Sequence, residues 1–213
     1  MFRYITIAGL VLVIAIIATH RIVASPRKPK GKQSYNPLRA LVYLLTLLLL
    51  PQRLGFFGRI RKLLYLLALL CFIILAVTGF YPALVLNQRL SGYLLMIHVT
   101  AGGVFAACLA LLALMWADLC RFDKFDLKWI TGLFCHTEEY QAKNTHTRLF
   151  PKLIFWLILI AALPLILSVV LSMFPMFGTE WQILSAGIHR YSALAFAVLA
   201  VLHIYMLAIL SRE

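Results

Sequence analysis

Residues 183–210 read ILSAGIHRYSALAFAVLAVLHIYMLAIL, an apolar run broken by only a few polar positions. A helix needs about 20 apolar residues to cross a hydrocarbon core about 30 Å thick, and this run is long enough to span. His189 and His203 lie inside it, with Arg190 beside the first. Their separation is 14 positions (203 − 189), or about 3.9 turns and about 21 Å of rise on an α-helix. Both imidazoles therefore stand on nearly the same side of one helix, one near each end. Ionisable side chains inside a membrane span are costly and mark functional sites. The stretch predicts a helical membrane fold, and the rest of the chain is read outward from it.

The composition agrees. Of 213 residues, 63% are hydrophobic and 13% charged, more apolar surface than a soluble domain of this size can hide. The apolar segments are long single runs and not ten-residue alternating ones, so they are helices rather than barrel strands. The net charge of +13 could suggest nucleic acid. The basic residues instead cluster in a few loops beside apolar runs, which is the pattern of membrane orientation. The four cysteines, Cys71, Cys108, Cys120 and Cys135, form no CxxC pattern and no c-type haem signature.

Five spans are predicted: about 4–24, 63–80, 92–117, 152–173 and 183–210. The segment 21–39 carries six Lys or Arg and no acid, and reads as a flexible cytoplasmic linker. Residues 38–50 are apolar for only about 13 positions, too short to cross, and predict a surface-lying or re-entrant helix ended by Pro51. Lys and Arg number 6 (21–39), 4 (52–62) and 6 (118–152) on one side, against 1 (81–91) and 0 (177–188) on the other. That asymmetry predicts the N-terminus outside and the C-terminus in the cytoplasm. The domain division expected is 1–58, an N-terminal membrane helix, basic linker and short interfacial helix, then 59–213, a four-helix membrane domain. Trp116, Trp129, Trp156 and Trp181 lie near span ends and read as interfacial anchors.

His98 lies about six residues into the third predicted span and His189 about seven into the fifth, and both spans start at the outer face. Two level histidines on antiparallel helices suit bis-imidazole ligation of a haem iron, one nitrogen from each side of the ring. Gly102, one turn below His98, removes a side chain where a flat macrocycle would lie, and Gly79, Gly92 and Gly187 are candidates for the same task. Arg89 or Arg190 could pair with haem propionates, being forked donors suited to carboxylates. Against this stands the plainer reading, in which span histidines only bond neighbouring helices.

The set His98, His189 with His203, and Thr78-Gly79 resembles the b-type cytochrome membrane subunits of formate dehydrogenases and nickel–iron hydrogenases. The resemblance covers about residues 59–210. It implies a four-helix cytochrome b bundle, here with one extra N-terminal transmembrane helix, in a bacterial inner (cytoplasmic) membrane. It implies two haems b and electron relay between a partner's redox subunit, iron–sulfur or multihaem, and membrane quinone. The outer haem would fall on His98 and His189. The inner one would use His203 and a histidine 14 positions before the glycine of Thr-Gly, but position 65 (79 − 14) is Tyr65. One haem is therefore expected and the second stays open. His203 could share a haem with His20, could flank with Tyr65 a haem-free pocket suited to quinone, or could be a buried histidine bonded to a carbonyl. Relatives carry a quinone-lining Asn-Ala-Gly-Gln stretch, and Asn144-Thr145-His146-Thr147 occupies the matching place, with His146 able to exchange protons near neutral pH.

Other classes fit less well. A haem-free anchor or assembly subunit of a respiratory complex is the main alternative. A transporter would want carboxylates inside its spans, and none is predicted there. Cys120, Cys135, His136 and His146 match no usual zinc spacing. No bond-making chemistry is expected beyond oxidation or reduction of quinone. The expected surroundings are lipid and partner subunits, without nucleic acid.

Overall fold

The computed structural model describes residues 1–23, 55–124, 126, 146–174 and 178–210, with backbone alone at 146–148 and 207–210. The predicted basic linker from residue 24 on, the short helix predicted at 38–50, Trp129, Cys135, His136 and Asn144 lie outside the described residues. Among the described residues there are five α-helices: α1 (Phe2–Val23), α2 (Phe56–Tyr81), α3 (Gly92–Ala117), α4 (His146–Met173) and α5 (Thr179–Leu210). Each contains a stretch long and apolar enough to cross a membrane. The fold class is an all-α membrane protein, and no strand occurs among the described residues.

Several boundaries differ from the sequence reading. α2 starts at Phe56, not near residue 63, because Arg59, Arg61 and Lys62 do not interrupt a helix. Arg and Lys are good helix formers, and their long stems let the charge reach water from a buried backbone. Nor does α2 end at Phe80. A π-helical turn, Pro82–Leu86, continues it, closed by Asn87 in the left-handed conformation (φ 52°) with its N–H on the Pro82 carbonyl. α4 begins at His146, earlier than the predicted start near 152, and carries Pro151 within it. α5 begins at Thr179, which puts Glu180 in its first turn. An acid there is favoured by the positive end of the helix dipole. It also means that one carboxylate does lie within the last apolar helix, at its edge.

The chain forms two compact units, Met1–Ile14 with Trp116–Glu213, and Ala15–Met115. The first part of α1 belongs to the same unit as the C-terminal helices. In the unit 15–115, α2 and α3 make an antiparallel hairpin whose contacts keep one register. Thr78 meets His98, Gly102 faces Leu75, and the rings of Phe72 and Phe105 lie 6.4 Å apart. Phe105, Cys108 and Leu112 of α3 are buried, as are Ala68, Cys71 and Thr78 of α2.

In the other unit α4 and α5 pack along their length. Buried small residues occur on both, Ala162 and Ser168 on α4, Ser185 and Ala197 on α5. Small side chains let membrane helices approach closely. The start of α1 lies against α5: the rings of Phe2 and Tyr191 meet edge to face at 5.4 Å, and Gly9 faces Leu194. Thr6, fully buried between these contacts, returns its hydroxyl to the Phe2 carbonyl at 2.9 Å. At the start of α4, Lys152 donates to Asp126 at 2.6 Å and to Asp123 at 3.4 Å. Trp156 Nε1 donates to the Cys120 carbonyl at 3.0 Å, so a role beyond interfacial anchoring falls to this tryptophan.

Candidate functional site

The half-buried His98 is held by a dipeptide from the facing helix. Thr78 Oγ1 lies 2.8 Å from His98 Nδ1. The same hydroxyl donates to the Ile74 carbonyl one turn back, at 2.7 Å. A hydroxyl has one proton. With that proton committed to Ile74, the oxygen can only accept from the ring, so His98 Nδ1–H is the donor. The opposite assignment would leave two acceptor oxygens 2.7 Å apart with nothing between them. A neutral imidazole protonated at Nδ1 carries its lone pair on Nε2. Gly79 completes the seat. A Cβ added there would stand 3.2 Å from His98 Cε1, closer than ordinary packing allows.

His189 reaches the same protonation state by another route. Its Nδ1 lies 3.1 Å from the Leu165 carbonyl of α4. A carbonyl only accepts, so Nδ1–H donates and the lone pair again falls on Nε2. The Leu165 carbonyl also takes the Ser168 hydroxyl at 2.9 Å.

His203 differs from both. Its Nδ1 is buried and has no hydrogen-bond partner among the described residues. A carbonyl bond at that nitrogen is absent among the described residues. His20 is exposed near the end of α1, and Tyr65 is half-buried on α2.

Gly79 leaves room for the His98 ring, and Gly102 faces Leu75 at an ordinary 3.8 Å. Added carbons at Gly103 and Gly187 would meet nothing within 4 Å. Arg89 and Arg190 are exposed. His146 and Thr147 begin α4, and their side chains, like Asn144, lie outside the described residues.

Neither Leu165 nor Thr78 was singled out as a ligand-orienting group from sequence. A backbone carbonyl has no sequence signature, and Thr-Gly stood out only as a dipeptide. Taken singly, each imidazole has its Nδ1 within hydrogen-bond distance of an oxygen placed to accept from it, which is what an iron-ligating histidine requires of its outer partner, and in this each suits the ligation of haem b.

Comparison with known proteins decides the family. The model of the prokaryotic cytochrome b561 family matches residues 57–212, which is 156 of the 213 residues. The chain belongs to this family. As a family member it is a multi-pass prokaryotic membrane cytochrome of b type, with haem b as its cofactor and electron transfer as its work. α1 precedes the matched region and is an addition to it. No curated protein and no solved structure matches the chain closely enough to count as a relative.

Proposed function

We propose that this b561-family chain is the membrane-anchoring cytochrome of a larger oxidoreductase, relaying electrons between a partner redox subunit and the quinone pool. The partner would be an iron–sulfur or multihaem protein. His98 and His189 are the axial ligands in this reading. The observation that carries it is that Nδ1 of each histidine lies within hydrogen-bond distance of an oxygen placed to accept, 2.8 Å from Thr78 Oγ1 and 3.1 Å from the Leu165 carbonyl, an arrangement that keeps the lone pair on Nε2. Haem b, when bound, supplies one-electron exchange.

The chain's own residues do the rest. Thr78 and Gly79 hold one ring, Leu165 holds the other, and the apolar helices keep bulk water from both. Asn144, His146 and Thr147 are the proposed quinone-side residues, His146 moving a proton at its ring nitrogen. His203 is the residue through which a second haem would be held, although its buried Nδ1 has no accepting oxygen among the described residues of the kind that orients His98 and His189.

Purified wild-type protein from haem-replete cells should show a Soret band and at least one haem b per chain by pyridine haemochrome. Membranes should reduce or oxidise added quinone only when the partner is present. A colourless protein that still assembles with its partner would make the chain a haem-free anchor and end the proposal.

A further inference from the structure

We propose that Thr78 is the positioning residue for His98: its hydroxyl oxygen fixes the imidazole as the Nδ1–H tautomer and so lowers the reduction potential of the haem that His98 ligates. The inference rests on His98 being an axial ligand, and goes beyond it.

Four observations meet at this hydroxyl. Thr78 is buried, at 8% exposure. Its Oγ1 donates to the Ile74 carbonyl at 2.7 Å and lies within 3.4 Å of the Leu75 carbonyl. It receives His98 Nδ1–H at 2.8 Å. Gly79 beside it leaves only 3.2 Å between a would-be Cβ and His98 Cε1, so the Nδ1–Cε1 edge of the ring is seated on α2. Back-bonding to the preceding turn and the β-branch at Thr78 hold the oxygen in one rotamer. A donor in such a chain is also a better acceptor, because neighbouring hydrogen bonds polarise one another.

The electronic consequence has a definite sign. An Nδ1–H that donates makes its imidazole more basic at Nε2. A more basic ligand favours the ferric over the ferrous iron, which lowers the potential. Removing the acceptor should therefore raise it. The hydroxyl also orients the ring, so its loss should weaken haem retention, and outer-shell partners of this kind are worth about 10- to 100-fold in metal affinity.

The test uses the full chain with its partner subunits in native membranes. Thr78→Val keeps the shape and loses the acceptor, Thr78→Ala covers the case in which valine does not accumulate, and Thr78→Ser restores the oxygen. Each is read by visible redox titration, electron paramagnetic resonance and haem per chain. The expected result is a higher potential, or haem content down about 10-fold, in the Val and Ala variants, with Ser returning both to wild type. Val and Ala variants that titrate like wild type with full haem overturn the inference, as does a Ser variant that behaves like Val. His98→Ala separates the two levels. If it loses its haem while Thr78→Val is unchanged, only the positioning role fails. If His98→Ala keeps full haem and an unaltered low-spin spectrum, the ligand assignment itself fails, and this inference with it.

Discussion

His98 and His189 carry the proposed chemistry, and their substitutions give the sharpest outcomes. His98→Ala and His189→Ala should each remove most of the haem assigned to them, read as haem per chain, while the five helices still insert. Normal haem content in both variants would falsify bis-histidine ligation by this pair. Gly79→Ala is subtler. The added carbon would crowd His98 Cε1 at 3.2 Å, so the ring must give by a few tenths of an ångström. Haem content should fall severalfold, or the Soret band shift, in a chain that remains folded; an unchanged spectrum would mean that the ring has room to move. The histidines were legible in sequence because an imidazole in an apolar run is chemically conspicuous. What orients them was not. The partner of His98 sits 20 positions away and that of His189 is a main-chain oxygen 24 positions away, and neither follows from local pattern.

Helices were legible where hydrophobic length decides and illegible where it does not. All five predicted spans occur, but the start of α2 was placed after a run of cations that lies within the helix, and the π-helical turn at Pro82–Leu86 depends on hydrogen bonding that no periodicity reports. The start of α4 is tied to the chain before it by Lys152, Asp126 and Trp156. Burial alone would raise the Asp126 carboxyl; the Lys152 ammonium, with the Asp123 backbone N–H, outweighs that and holds it below its ordinary value. A depressed carboxylate adds stability at pH above the ordinary carboxylate range, about 4, and loses it as pH falls through the lower folded value. The protection of the amides at 118–124, with the intrinsic pH dependence of exchange divided out, should therefore stay flat from pH 7 to about 5 and fall only below about 4. Asp126→Asn should remove that acid response and lower stability in detergent by roughly 1–3 kcal/mol. Trp156→Phe should cost about 1 kcal/mol through the lost bond to the Cys120 carbonyl, read as a lower melting temperature with the helix content unchanged.

On the scale of the whole molecule, the orientation proposed from charge asymmetry puts the N-terminus outside and the C-terminus in the cytoplasm. A fluorescent protein fused after Glu213 should then be bright, alkaline phosphatase at the same place inactive, and Arg3→Cys, in a chain lacking its other cysteines, open to an impermeant maleimide from outside. The reverse pattern would overturn that orientation. The parallel course of α1 and α5, from Phe2 on Tyr191 to Gly9 on Leu194, requires both to start at one face, so the two tests must agree. α5 itself has 32 residues, about 48 Å of helix. Even tilted by about 40° it spans about 37 Å, more than a hydrocarbon slab of about 30 Å, so tilting cannot remove the hydrophobic mismatch. At least a turn of it stays wet, in keeping with a mean hydropathy of 1.4 against 2.9 for α4. Bilayers of different thickness would be met by sliding turns into or out of the headgroups. His189 and His203 would ride along as marks on a rigid ruler, their spacing indifferent to the lipid around them.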